Sequence, residues 1–249
     1  MSERLAVRAR SSDAGLKTRA EAVEADVWAP LGFLGATEAH SRHYDRLLGE
    51  YEDLQLCLVD ETNDELLALA NCIPARWDKI SDLPNEGWDW LVESGGRRFG
   101  ATGNVLGALA ISVPPGQRGQ GHAQRMLREM KGLCGRYGFE ALIAPVRPSA
   151  KCHHVHEPMA DYIARIDPLG RCFDPWLRSH YQAGARLLGV CARSMVVDQH
   201  VAFWETWAGR PFETSGLHAI DGALAPVRID LESGFGLYEE PNVWVAYAP

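Results

Sequence analysis

The chain has 249 residues, 46% hydrophobic and 23% charged, with a formal net charge of −8. That composition excludes disordered and fibrous classes. No basic run gives a nucleic-acid partner an electrostatic footing, and no segment reaches the roughly 18 apolar residues of a membrane span. The first fifteen residues lack the continuous apolar stretch of a secretory leader. Six cysteines, at positions 57, 72, 134, 152, 172 and 191, form no Cys-x-x-Cys pair, a pattern that fits a cytoplasmic protein with reduced thiols. Cys57, Cys72 and Cys134 lie in apolar stretches and read as core residues.

No repeat or linker divides the chain, so one domain is expected. Leu5 to Val7 opens a short strand. Ala14 to Trp28 reads as a helix, with Leu16, Ala20, Val23 and Val27 at three- and four-residue spacing. A second helix covers Glu38 to Tyr51. Leu54–Val59 and Leu66–Ile73 flank the polar turn Glu61-Thr62-Asn63-Asp64, a hairpin signal. The stretch from Asp78 to Arg98 is irregular, with a short helix under Trp88, Trp90 and Leu91. Asn104–Val113 is a long strand. Gly119 to Tyr137 is a helix whose stripe runs Ala123, Met126, Leu127, Met130, Leu133, Cys134, Tyr137, with Gly138 as its C-terminal cap. Ala141–Val146 is an apolar strand. After a lapse, Leu177 to Leu188 reads as a helix with Asp174 as N-cap and Pro175 as first residue. Ser194–Val197 is a strand, Val201–Ala208 a Trp-rich helix, and Leu224–Ile229 and Val243–Tyr247 close the chain. The class is α/β (α+β) with a mixed sheet.

The stretch that carries chemistry is Val113-Pro114-Pro115-Gly116-Gln117-Arg118-Gly119-Gln120-Gly121-His122-Ala123. It joins a strand to an amphipathic helix, and a glycine-rich turn there presents backbone N–H groups to a phosphate. Arg118 adds a cation or holds the loop. A P-loop fails, because His122 and Ala123 replace its Lys and hydroxyl residue. A dinucleotide fingerprint also fails, since Gln124 stands where its third small residue belongs. The remaining pattern is Arg-x-x-Gly-x-Gly/Ala, met by Arg118, Gly121 and Ala123.

On these residues, with Val113 and Pro115 at the loop entrance, the chain resembles the GNAT superfamily of N-acetyltransferases. The element order is similar too, and Gln182-Ala183-Gly184-Ala185 stands where the family closes a helix on a Gly-aromatic pair. The resemblance implies a mostly antiparallel sheet flanked by helices and splayed between its fourth and fifth strands. It implies acetyl-CoA as donor, lying between Asn104–Val113 and Ala141–Val146. Backbone groups of Ile111, Ser112 and Val113 would pair with pantetheine, and N–H groups of Arg118, Gly119, Gln120, Gly121, His122 and Ala123 would hold the pyrophosphate. The family acid for the leaving thiolate is often a Tyr; His180 holds that position by count, and Tyr181 matches it by chemistry. A His donor would lose activity as pH rises through about 6.5.

The strand Asn104–Val113 contains no carboxylate, so the base is sought elsewhere, at Glu93, Glu157, Glu239 or Glu240. Lys151-Cys152-His153-His154-Val155-His156 offers zinc-type donors, but they crowd one segment and no second pair follows; no metal is expected. Residues 147–173 read as an inserted substrate-side lid. Trp176, Trp204, Trp207 and Trp244 read as core. The expected activity is direct acetyl transfer in a ternary complex to a primary amine of a small molecule. A longer acyl-CoA or acyl carrier protein donor, or a non-catalytic CoA-binding module, are the alternatives. A homodimer is left open.

Overall fold

The computed structural model describes residues 4–78, 84–97 and 103–248. Its strands are β1 (Leu5–Ala9), β2 (Leu56–Asp60), β3 (Glu65–Ala75), β4 (Val105–Ser112), β5 (Leu142–Val146), β6 (Arg186–His200), β7 (Gly216–His218), β8 (Val227–Asp230) and β9 (Phe235–Tyr247). The helices are α1 (Ala14–Trp28), α2 (Glu38–Glu50), α3 (Gly87–Arg97), α4 (His122–Tyr137), α5 (Met159–Ala164), α6 (Pro175–Gln182) and α7 (Val201–Ala208). Asp13, Thr37 and Asp174 cap α1, α2 and α6, each side chain accepting from a first-turn N–H.

One sheet runs β1-β2-β3-β4-β5-β9-β8-β7, and β6 lies along the other edge of β9. Every pairing is antiparallel except β4 with β5, which is parallel and confined to Leu106↔Leu142 and Gly107↔Ile143. Beyond those two positions the strands part. Alternating side chains build a core on each face. Leu58, Leu106, Leu142, Val243 and Tyr247 pack with Met126, Met130 and Leu133 of α4 and with Leu177 of α6. Val105, Leu109, Ile143 and Trp244 pack on the opposite face with Leu47 of α2, Trp88 and Leu91 of α3 and Trp204 of α7. A third cluster seats α1 through Leu16 and Ala20 on Cys57, Val59 and Leu69.

Several boundaries differ from the sequence reading. The helix at Leu177–Leu188 stops at Gln182, because Gly184 turns the chain in a left-handed conformation (φ 87°) and Arg186 begins β6. Leu187 and Leu188 therefore belong to a strand, and the Ser194–Val197 strand is one part of the fifteen-residue β6. The helix expected from Gly119 begins at His122, and Tyr137, assigned to its apolar stripe, is 48% exposed. The run Leu224–Ile229 contributes strand only from Val227, and β7 carried no sequence signal. Cys57, Cys72 and Cys134 are buried, as are Trp204 and Trp244, while Trp176 and Trp207 are half-buried. Part of the irregular stretch from Asp78 to Arg98 lies outside the described residues.

Candidate active site

The splay begins with a defect in β4. Asn71 pairs with Ala110 and Cys72 with Ala108, so Leu109 is an extra residue opposite β3. Such a bulge reverses the facing of everything that follows. Val105 and Leu109 point toward α3, whereas Ile111 and Val113 join the α4-side cluster. The Leu109 carbonyl is taken up by the Trp88 indole N–H at 3.0 Å. The Ser112 hydroxyl accepts from the Trp28 indole N–H at 2.8 Å. Among the described residues, no strand pairs with the β5-facing edge of β4 past Gly107. That edge offers Ile111, Ser112 and Val113 to an extended ligand.

The turn from Arg118 to Ala123 sits at the open end of the splay. Gly119 (φ 78°) and Gly121 (φ 81°) are both left-handed, a conformation that glycine takes without Cβ strain. Gly121 is the N-cap of α4 and supplies no capping side chain. Among the described residues, the N–H groups of Gly119 to Gln124 have no acceptor; the first satisfied amide of the helix is that of Arg125, donating to the Gly121 carbonyl at 3.0 Å. A Cβ added at Gly119 or Gly121 would meet only open space. Unsatisfied donors at the positive end of a sixteen-residue helix, in front of open space, fit an anion such as pyrophosphate. Arg118 holds the loop through its Nε donating to the Val113 carbonyl at 3.2 Å. Gln120 donates to the Gly116 carbonyl at 3.3 Å. The His122 ring is buried, with no partner on Nε2, and Ala123 is half-buried.

His180 and Tyr181 diverge on α6, as adjacent helical residues must. His180 is 3% exposed and faces the α4-side core. Its Nδ1 lies 2.5 Å from the Tyr247 hydroxyl, its ring meets Trp176 edge-on, and its Nε2 has no partner. Tyr247 stands opposite Leu142, at the closed foot of the splay. Burial lowers the His180 pKa to about 4, against a small opposing pull from Asp174. The imidazole is therefore neutral at pH 7, and the expected loss of activity through pH 6.5 does not follow from this environment. Tyr181 is half-buried, and burial raises its phenol pKa.

Of the carboxylates considered as base, Glu157 is paired with Arg165 at 3.1 Å and Glu239 with Arg193 at 2.6 Å. Glu240 is fully buried, 3.0 Å from Arg147 and 2.9 Å from the Tyr238 hydroxyl. Glu93 lines a cavity on the opposite face of the sheet. That cavity also holds Asp89, which sequence reasoning did not single out. Its neighbours Trp88 and Trp90 were legible as a helix face, but nothing local marks a carboxylate as buried.

The segment 147–173 is anchored. Lys151 is buried and donates through Nζ to the carbonyls of His154 (2.7 Å) and Leu224 (2.8 Å). Asp174 accepts from the Ala150 amide and the Tyr162 hydroxyl, both at 2.9 Å. His154 contacts Arg165, Tyr162 and Phe173. Among the described residues, no group of three or more His, Cys, Asp or Glu is placed to hold a metal, and no helix is long and apolar enough to cross a membrane.

A mixed, mostly antiparallel sheet splayed between its fourth and fifth strands, with an uncapped glycine turn at the mouth, defines the GNAT architecture. The same fold is seen in the loading GNATL domain of CurA from Lyngbya majuscula, with a TM-score of 0.60 at 17% identity over 98% of both chains. It is seen again in an agmatine N-acetyltransferase in its apo form, with a TM-score of 0.50 at 12% identity over 99% of this chain and 100% of that one. In sequence, the chain is 28% identical over 243 positions to the arginine N-acetyltransferase avaD of Aspergillus versicolor, covering 86% of this chain and 83% of the relative. No family model matches the chain. The chain has the GNAT fold and is similar in sequence over most of its length to an N-acetyltransferase.

Proposed function

We propose that this enzyme transfers acetyl from acetyl-CoA to the primary amine of a small molecule. The observation that carries the reading is the row of unsatisfied N–H groups from Gly119 to Gln124 at the open end of the β4–β5 splay. In this reading, backbone groups of Ile111, Ser112 and Val113 pair with pantetheine, and Arg118 to Ala123 hold the pyrophosphate. The amine nitrogen attacks the thioester carbonyl directly. A C–N bond forms, the C–S bond breaks, the attacking nitrogen sheds one proton and the departing thiolate takes one, so the proton count is unchanged.

His180 and Tyr181 are the candidates for that donor. The unpartnered Nε2 supports His180 as a hydrogen-bond donor: when the Tyr247 hydroxyl donates to Nδ1, the neutral ring carries its proton on Nε2 and can hydrogen-bond the departing thiolate without giving that proton up, whereas Tyr181 could transfer one. The reading includes a single domain, with 147–173 an insertion on the substrate side. Its support is that the segment leaves β5 at the open end of the splay. A cytoplasmic setting fits the six unpaired thiols. The test is release of free CoA thiol from acetyl-CoA with and without a panel of amines. Amine-dependent release supports transfer; tight acetyl-CoA binding with no release on any amine would favour a CoA-binding module.

A further inference from the structure

On the sheet face opposite α4, a cavity of about 790 Å³ lies among α2, α3 and β6. Glu38, Glu86, Asp89, Glu93 and Asp198 line it, against one cation among the described residues, Arg193. Arg193 is already engaged with Glu239 at 2.6 Å, and Glu38 at the rim pairs with the exposed Arg42. Asp89 is the buried member, 8% exposed. Its Oδ2 accepts from the Val196 amide at 2.8 Å; its Oδ1 has no donor within hydrogen-bond distance, though the Thr37 hydroxyl lies close enough to favour the ionised carboxylate. A buried carboxylate oxygen without a donor is costly to the fold, and a ligand that brings an N–H donor removes that cost.

The chemistry of the walls narrows the ligand. Trp90 lines the same cavity, held edge-on against Trp77 and Trp244. A buried acceptor, surrounding negative charge and an indole suit a planar delocalised cation, which donates through several N–H groups and packs on aromatic rings. One residue before Asp89 on α3, Trp88 bonds to the Leu109 carbonyl at the bulge of β4. The acidic wall is thereby fixed to the strand that borders the splay.

We propose that this cavity seats the acceptor, and that the acceptor is an amine whose far end is a guanidinium group held by Asp89. The assignment rests on the acetyltransferase reading, since it has the amine end meet the thioester while the cation stays in the acidic cavity. Asp89 is then a specificity-determining residue. Its environment agrees: burial raises its carboxyl pKa to about 7, with Glu93 and Glu240 adding to the rise and the Val196 amide and Thr37 hydroxyl opposing it. A bound cation stabilises the ionised form, so binding near pH 7 releases a proton. The two comparison enzymes named for arginine and agmatine act on compounds of this class.

The test is calorimetric titration of the CoA-saturated protein with agmatine, arginine and n-butylamine. It compares wild type, Asp89→Asn and Glu93→Gln, with acetyl-CoA affinity measured separately on each. Asn keeps an acceptor for the Val196 amide, so the α3–β6 contact is retained. Agmatine should bind wild type at least tenfold more tightly than n-butylamine. Asp89→Asn should remove most of that preference, Glu93→Gln part of it, and neither should change acetyl-CoA affinity. Equal wild-type affinity for agmatine and n-butylamine overturns the guanidinium assignment and leaves the enzyme reading standing. So does an Asp89→Asn variant whose turnover collapses while agmatine affinity and KM hold, since Asp89 would then be a base and not an anchor. Absence of acetyl-CoA binding in wild type overturns the acetyltransferase reading itself.

Discussion

Gly121 and Gly138 stand at the two ends of α4, both left-handed, with φ of 81° and 75°. A Cβ added at either meets nothing within 4 Å. Gly121→Ala and Gly138→Ala therefore carry the same penalty, about 1–2 kcal/mol for an L residue in the left-handed region. Thermal unfolding should register similar losses for both. Their effects on the ligand should differ. At Gly121 the new methyl enters the space in front of the free N–H groups, where the pyrophosphate is proposed to lie. At Gly138 it enters solvent beyond the far end of the helix. A tenfold loss of affinity corresponds to about 1.4 kcal/mol, and displacement of the anion from even one or two of its amide donors reaches that size. Isothermal titration with acetyl-CoA should show at least a tenfold weaker Kd for Gly121→Ala and an unchanged Kd for Gly138→Ala. Equal affinities in two folded, equally destabilised variants would refute the assignment of the turn as the pyrophosphate cradle.

His180→Ala should lower turnover by about 10²–10³ at saturating acetyl-CoA if the neutral Nε2–H hydrogen-bonds the departing thiolate, and Tyr181→Phe should then be near wild type; the reverse result transfers the role to Tyr181. With a folded pKa near 4 against about 6.5 unfolded, His180 stabilises the protein above pH 6.5 and loses that contribution, on the order of 3 kcal/mol, as pH falls toward 4. His180→Phe should flatten the acid limb of the Tm–pH curve, and an unaltered limb would show that His180 is not held neutral. Asp89 runs the other way. Its pKa is raised from 3.8 to about 7, so ionising it costs stability as pH climbs through that window, up to about 4 kcal/mol. The stability of Asp89→Asn relative to wild type should therefore rise between pH 4 and pH 8, and a constant difference in Tm would count against a strained carboxylate. Trimming 147–173 should change the KM for amine while leaving acetyl-CoA affinity within about twofold, and a trimmed protein that loses acetyl-CoA binding would place the segment in the core of the fold.

The sequence by itself determined whatever is written in local chemistry. α1 and α7 begin and end where the sequence pattern puts them: Leu16 and Ala20 lie one turn apart on the buried face of α1, and Trp204 is the buried residue of α7. Asp174-Pro175 marks the start of α6, since a capping carboxylate and a residue without an N–H both suit a helix entrance. The glycine turn before α4 was legible for the same reason: left-handed backbone and an absent side-chain cap are properties of Gly119 and Gly121 themselves. The long-range features were decided by tertiary structure. The extra residue at Leu109 exists only in register against β3, and it turns Ile111 and Val113 toward the α4 side. The end of α6 and the length of β6 follow from pairing with β9, which overrides the helical pattern of Leu187 and Leu188. The protonation states of His180 and Asp89 come from burial against chain far away in sequence, with Tyr247 beside one and Val196 of β6 beside the other. A charge takes its pKa from the space around it, and that space is assembled only when the sheet closes.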